Sequence, residues 1–320
     1  MRRTGRDTGA AKAISGRDSG GSGEPSRRQA ASKPGPARLP EPTLSPGLYL
    51  VATPIGNLGD VTLRALAVLR AVDRIFCEDT RVTARLLARY DIAAPLDLYH
   101  DHNAERARPA ILAALRRGER VALVSDAGTP LICDPGYKLV RAAVSENLPV
   151  TAIPGPSAAL AALILSGLPP DAFLVAGFLP PRREARRRAL ERWPALEASL
   201  VFFEGASRLV ESLGDMTELL GNRPAAVARE LTKLHEEIRR GRLADLAAHY
   251  QDAGPPRGEV VIVIGPPELP APDHATVDGR LRAALAELGV RDATARVAIE
   301  TGLPRRELYR RALAIRRETE

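Results

Sequence analysis

One join, repeated along the first half of the chain, limits the fold more than any other feature. Gly47–Ala52, Val72–Phe76, Val121–Val124 and Val150–Ile153 are short apolar runs, and each breaks into a loop of Gly, Pro, acidic or hydroxyl residues. A helical spacing of apolar residues follows each loop. The third case is the plainest. Val121-Ala-Leu-Val runs into Ser125-Asp126-Ala127-Gly128-Thr129-Pro130 and then Asp134-Pro135-Gly136, after which Tyr137, Leu139, Val140, Ala143 and Val144 share one side of a helix. Short apolar strands alternating with helices predict an α/β fold with a parallel sheet. Right-handed crossovers put the carboxyl ends of such strands on one edge, which is where open parallel sheets bind ligands. In the third loop Gly128 lets a ligand approach the backbone, Pro130 stiffens the turn, and Asp126 and Thr129 offer polar groups.

The second half reads differently. Runs at Phe173–Gly177, Ser199–Phe203, Ala225–Ala228 and Glu259–Ile264 lie closer together, which predicts a second subdomain with a mixed sheet. The expected division is a basic, disordered extension over 1–46, an α/β subdomain over 47–156, a second over 157–266, a Pro-rich linker over 267–277 and a helical tail over 278–320. Residues 1–46 carry nine Lys/Arg against four Asp/Glu, and residues 278–320 carry ten against seven, whereas the body holds 27 against 28. Basic ends on a neutral body fit a polyanionic partner. Cys77 and Cys133 are the only cysteines, so no disulfide framework is available and a reducing compartment fits. No window approaches the roughly 18 apolar residues of a membrane span.

Five groups of residues carry candidate chemistry. Gly56-Asn-Leu-Gly59-Asp60 lacks the G-x-G-x-x-G spacing of a dinucleotide fold, and no P-loop occurs. Taken with the Asp126 and Pro154-Gly155-Pro156-Ser157 loops, it makes a backbone-lined pocket without cationic side chains. Such a pocket suits a ligand of little net negative charge, of which S-adenosylmethionine is one. Glu78-Asp79-Thr80-Arg81 stands at a strand end, either as a helix cap with an ion pair or as a proton acceptor. His100 and His102 lack a third partner for a metal, so no metal site is expected. Arg182, Arg183, Arg186, Arg187 and Arg188 form either a solvated helix face or a track for a phosphate backbone. In the tail, two helices about a Thr301-Gly302-Leu303-Pro304 turn resemble a helix-turn-helix, with Val297, Ile299, Leu303, Leu308, Ala312 and Ile315 inward and Arg305, Arg306, Arg310 and Arg311 toward a phosphate backbone, or else form a helical pair that covers the second subdomain or a dimer seam.

The segments Leu50–Asp60, Glu78–Arg81, Ser125–Pro130 with Asp134–Gly136, and Pro154–Ser157 together resemble the tetrapyrrole methylase-type methyltransferases. They are most similar to the branch that methylates cytidine 2′-hydroxyls of small-subunit (16S) ribosomal RNA, which Glu230–Lys233 and Pro256–Glu259 also fit. The resemblance implies a tetrapyrrole methylase-like pair of α/β subdomains with S-adenosylmethionine in the cleft between them. It implies a cytoplasmic homodimer acting on a decoding-region cytidine of 16S ribosomal RNA or the small ribosomal subunit. The donor's contacts carry over onto Pro54, Asp126, Gly128, Thr129, Ile132, Pro154, Ser157, Phe203 and Glu204. Glu78, Asp79 and Lys233 are the candidates for handling the hydroxyl proton, and Arg182, Arg183, Arg187, Arg305, Arg306 and Arg310 for holding RNA. A tetrapyrrole methylase of the same fold is the alternative. Val82 and the pair Ala206-Ser207 stand where the family often has His, which rules out a catalytic His at either place.

Overall fold

The computed structural model describes residues 43–268 and 274–319. The extension expected to be disordered falls, up to residue 42, outside them. Five strands form the first sheet: β1 (Gly47–Val51), β2 (Arg74–Cys77), β3 (Leu96–Leu98), β4 (Arg120–Val124) and β5 (Val150–Ile153), in the order β3-β2-β4-β1-β5. All pairings are parallel. Val51 pairs with both Val124 and Ile153, so the carboxyl ends of β1, β4 and β5 finish level and their loops meet.

Side chains on a strand alternate between faces, so each face of this sheet gathers its own core. Val51, Ile75, Val124 and Ile153 face helices α1 (Leu63–Ala71) and α2 (Thr80–Arg89). Leu48, Val121 and Leu123 face α3 (Ala104–Arg116) and α4 (Tyr137–Ser145). Thr62 caps α1 and Asp79 caps α2, each accepting a backbone N–H of the first turn. The second strand begins at Arg74 and not at Val72, because Val72 ends α1 with its N–H bonded to the Val68 carbonyl.

The second sheet holds β6 (Phe173–Phe178), β7 (Ser199–Gly205), β8 (Pro224–Arg229), β9 (Glu237–Arg242) and β10 (Glu259–Ile264), in the order β6-β7-β10-β8-β9. Only β6 and β7 pair in parallel. Val201, Val261 and Val263 pack on α5 (Ala158–Ser166), and Leu200, Phe202, Ile262 and Ile264 pack on the opposite layer of α6 (Arg183–Leu190), α7 (Leu209–Leu220) and α8 (Leu243–Ala253). The sequence reading missed β9. Its Glu-Ile-Arg-Arg-Gly-Arg composition is that of a charged edge strand, which blunts pairing with other chains and hides the alternation. The basic helix ends at Leu190, as the chain turns toward Pro194.

The tail folds as α9 (His274–Glu287), α10 (Val290–Thr301) and α11 (Arg305–Thr319), so its first helix starts inside the stretch expected to be linker. Val277, Leu281, Ala293, Val297, Leu308, Ala312 and Ile315 form its core. Ile299 is a correction: it is 81% exposed, because two residues beyond Val297 a helix has turned about 200° away. Among the described residues no helix is long and apolar enough to cross a membrane.

Candidate active site

Three loops from the first sheet are tied into one rim. The Thr53 and Gly128 backbones exchange hydrogen bonds at 2.9 and 3.1 Å. The Thr53 hydroxyl donates to the Ser125 carbonyl at 2.8 Å, and the Thr129 hydroxyl donates to the Pro156 carbonyl at 3.1 Å. Gly128 has φ +87°, and a Cβ there would stand 3.3 Å from Ile55 Cγ2. Leu131 and Cys133 take left-handed conformations at φ 71° and 66°, which for residues with side chains is strain held by the surrounding loop. Pro54 is buried under this rim, while Pro154 and Ile132 are exposed on it. Ser157 accepts the Leu160 N–H as the cap of α5, so its hydroxyl already has a structural partner.

Carboxylates gather beside the rim. Asp126 Oδ1 accepts the Asp79 N–H at 3.0 Å. Burial lifts the Asp126 pKa, and the Asp79 charge adds to that. Burial likewise lifts Glu78, reinforced by Asp126, Asp134 and Asp101. Asp134, bonded by the Ser125 hydroxyl, is lifted by burial and by Asp126. Arg81 offsets part of the charge on Asp126, but its guanidinium is clasped by Asp79 at 2.5 Å. That clasp and the capping bond from the Arg81 N–H hold Asp79 at a pKa of about 2. Of the two adjacent carboxylates, Asp79 is therefore a helix cap and a weak base, and Glu78 is the better proton acceptor. Asp134 was not a sequence candidate, although its Asp-Pro-Gly turn was visible.

The opposite wall comes from the second sheet. Phe178, exposed at the end of β6, lies with its ring 5.5 Å from that of Phe203. Cys133 of the rim reaches β6, where a Cβ on Gly177 would stand 2.8 Å from its sulfur. Glu204 points elsewhere. Its carboxylate is buried and held by the Gly205 N–H, the Ser212 hydroxyl at 2.6 Å and Arg208 at 2.6 Å, so it locks the turn into α7. Lys233 also has a structural place. Its Nζ bonds Glu230 at 2.8 Å and Glu259 at 3.2 Å, and its stem lies against Gly56, where a Cβ would come within 2.6 Å of Lys233 Cγ. Burial pulls its pKa down, the two carboxylates outweigh that, and the net shift is upward, so the amine stays protonated and is no base.

The expected phosphate track on α6 needs correction. Arg187 bonds Glu218 at 2.6 Å and Asp215 at 3.0 Å, Arg183 bonds Asp215 at 3.4 Å, and the buried Arg186 bonds Asp215 and Glu211. Their charges are neutralised by α7, and Arg182 is left exposed. A cavity of about 860 Å³ lined by Arg183, Arg186, Glu211, Asp215 and Glu218 lies on this side, away from the rim. Its charged groups are paired with one another, so we place the site at the rim. In the tail, Arg305, Arg306 and Arg310 are exposed on α11, whereas Arg311 bonds Asp278 at 2.9 Å.

Residues 47–247 match the family described as Tetrapyrrole (Corrin/Porphyrin) Methylases, and residues 271–316 match the RsmI C-terminal HTH domain. The Ribosomal RNA small subunit methyltransferase I of Mesorhizobium japonicum is 52% identical over 283 residues, covering 88% of this chain and 96% of its own. The chain belongs to the tetrapyrrole methylase family, in the branch of these small-subunit methyltransferases. The branch member of the same name from Erythrobacter litoralis is 55% identical over 273 residues, covering 85% of this chain and 96% of its own. Among solved structures of the family fold, a cobalamin biosynthetic cobalt precorrin-4 methyltransferase superposes with a TM-score of 0.52 at 19% identity, covering 68% of this chain and 94% of its own.

Proposed function

We propose that the protein is an S-adenosylmethionine-dependent methyltransferase that acts on the ribose 2′-hydroxyl of a cytidine in the decoding region of 16S ribosomal RNA. The observation that carries this is the group of Glu78, Asp126 and Asp134 beside the Gly128 turn, three carboxylates lifted in pKa by burial and by neighbouring carboxylates. Such a site is stabilised by a ligand bearing positive charge, and S-adenosylmethionine carries a sulfonium and an ammonium. The open backbone at Gly128 and the tied loops of Thr53, Thr129 and Pro156 leave a cradle that a Cβ would narrow, so the residues fit the donor. Asp126, Gly128, Thr129, Pro54, Ile132 and Pro154 would hold it. Bound there, the donor supplies an electrophilic methyl group.

The chain's own residues supply position and a proton acceptor. A protonated ribose hydroxyl is a poor nucleophile, so a nearby base helps it. Glu78, exposed at the end of β2 and more basic than an ordinary carboxylate, takes the hydroxyl proton on its side-chain oxygen. General-base assistance is typically worth about 10²–10⁴-fold. The relatives named as ribosomal RNA small subunit methyltransferases support the RNA substrate. So does the match of the tail to a helix-turn-helix domain, with Arg305, Arg306 and Arg310 exposed. The tetrapyrrole alternative gives that tail no role.

The enzyme works as a cytoplasmic homodimer. Leu160 and Ile164, one turn apart on α5 and 49% and 75% exposed, support a covered apolar face. The deciding experiment incubates the full chain with methyl-labelled S-adenosylmethionine and small ribosomal subunits, then maps the label. A 2′-O-methylated cytidine in the decoding region is expected, and label on a base or on no nucleotide would overturn the reading.

A further inference from the structure

Next to the carboxylates, a cavity of about 340 Å³ opens between the carboxyl ends of β3 and β4, lined by Tyr99, Asp101, His102, Arg108, Asp134 and Tyr137 among others. It shares Asp134 with the group around Glu78, and Asp101 is near enough to act on Glu78's charge. Arg108 is its unusual member. Its Nε and Nη2 are shielded from solvent and have no acceptor among the described residues. These two N–H groups are the parallel pair with which a guanidinium makes a two-point contact. Buried charged donors without partners are costly, so an arriving ligand with two adjacent acceptors gains by meeting them. The side chain of Asp101 is an acceptor, exposed, with no hydrogen bond or ion pair among the described residues. Glu105 is engaged by Lys138, and Asp134 by Ser125. Tyr137, 65% exposed, presents an aromatic ring on the same wall.

We infer that this cavity reads the target base as cytosine, with Arg108 donating to O2 and N3, Asp101 accepting from the N4 amino group, and Tyr137 covering the ring face. The inference rests on the proposed function and names how that site selects its nucleotide. Cytosine offers two adjacent acceptors and then a donor along its pairing edge. Uracil offers a donor at N3 and an acceptor at O4, so it sets N–H against guanidinium and oxygen against carboxylate. Enzymes acting on a nucleotide of a folded RNA read such an exposed pairing edge, commonly with an aromatic stacked on the ring. Asp134 borders this cavity and acts on the charge of Glu78, so a base held here stands beside the proposed proton acceptor.

The test compares small ribosomal subunits bearing the mapped cytidine with subunits bearing uridine at that position, using the full chain and labelled S-adenosylmethionine. Wild type should prefer cytidine by at least about 100-fold in kcat/KM, since a site built to bond a polar edge rejects an analogue lacking it. Arg108→Ala should slow the cytidine reaction by about 10–100-fold and bring the two substrates within about tenfold of each other. Arg108→Lys keeps the charge and the stem but not the fork, and it should lose discrimination too, with S-adenosylmethionine affinity by calorimetry unchanged. Equal slowing of both substrates would identify a phosphate contact and overturn the inference. So would wild-type discrimination in Arg108→Lys. Label on no cytidine from wild type is a separate result, and it would overturn the proposed function first and this inference with it.

Discussion

The two sheets treat the acidic groups at their strand ends and beneath their helices in opposite ways. In the second, polar groups are paired inward: Glu204 with Arg208 and Ser212, and Arg186 with Asp215. In the first, Glu78, Asp126 and Asp134 stand beside a strained loop, and burial, reinforced by neighbouring carboxylates, lifts each above its ordinary pKa. Charge satisfied inside the protein builds structure. Charge left in want of a partner marks the candidate place for handling a ligand and a proton.

Substitutions on the two sides should therefore fail differently. Glu78→Gln should lower kcat by about 10²–10⁴-fold with S-adenosylmethionine affinity retained, while Asp79→Asn should cost far less because Asp79 is a cap. With Glu78 as the proposed base, the wild-type rate should rise with pH through a pKa above the ordinary value of 4.5, and that limb should vanish in Glu78→Gln. Asp215→Ala leaves Arg186, wholly buried, without its closest carboxylate. A loss of about 3–5 kcal/mol in unfolding free energy is expected, measured by denaturant titration, with turnover per folded molecule unchanged. If that variant lost turnover before stability, the contrast between the sheets would be wrong.

Smaller effects sharpen the contrast. Gly56→Ala forces a methyl group into the Lys233 stem, where the two halves of the rim meet, and should cost about 1–3 kcal/mol and weaken donor binding. Removing residues beyond 268 should leave S-adenosylmethionine binding intact while flattening the salt dependence of RNA binding by roughly one log–log unit per lost phosphate contact. The smallest effect concerns stability and its sign. Glu78 titrates above its unfolded value, so its contribution is present at acid pH and is lost as pH rises through the folded pKa. Glu78→Gln should accordingly raise Tm at pH 7, by at most about 2 °C once solvent screening is counted, as scanning calorimetry would read.

Much of the first sheet was legible because its strands are continuously apolar and its loops carry the chemistry in short runs. Asp126, Gly128 and Thr129 stand together in sequence and in space. Arg108 stood on a helix with nothing in the sequence to distinguish it from its solvated neighbours, because its isolation arises from packing against residues near 100 and 135. The arginines of α6 misled for a related reason. Their partners, Glu211, Asp215 and Glu218, lie on α7, and a run of like charge in one segment says nothing of the segment beside it. Edge strand β9 was hidden by the charges that protect it.

The central claim is that the first sheet's loops hold the methyl donor, and hydrogen exchange read by mass spectrometry on the unmodified chain tests it without any variant. Adding S-adenosylmethionine should slow exchange at residues 53–57, 126–132 and 155–160, and leave α6, α7 and α8 unchanged. Protection confined to the cavity between Arg183, Glu211 and Asp215, with none at the rim, would contradict the account.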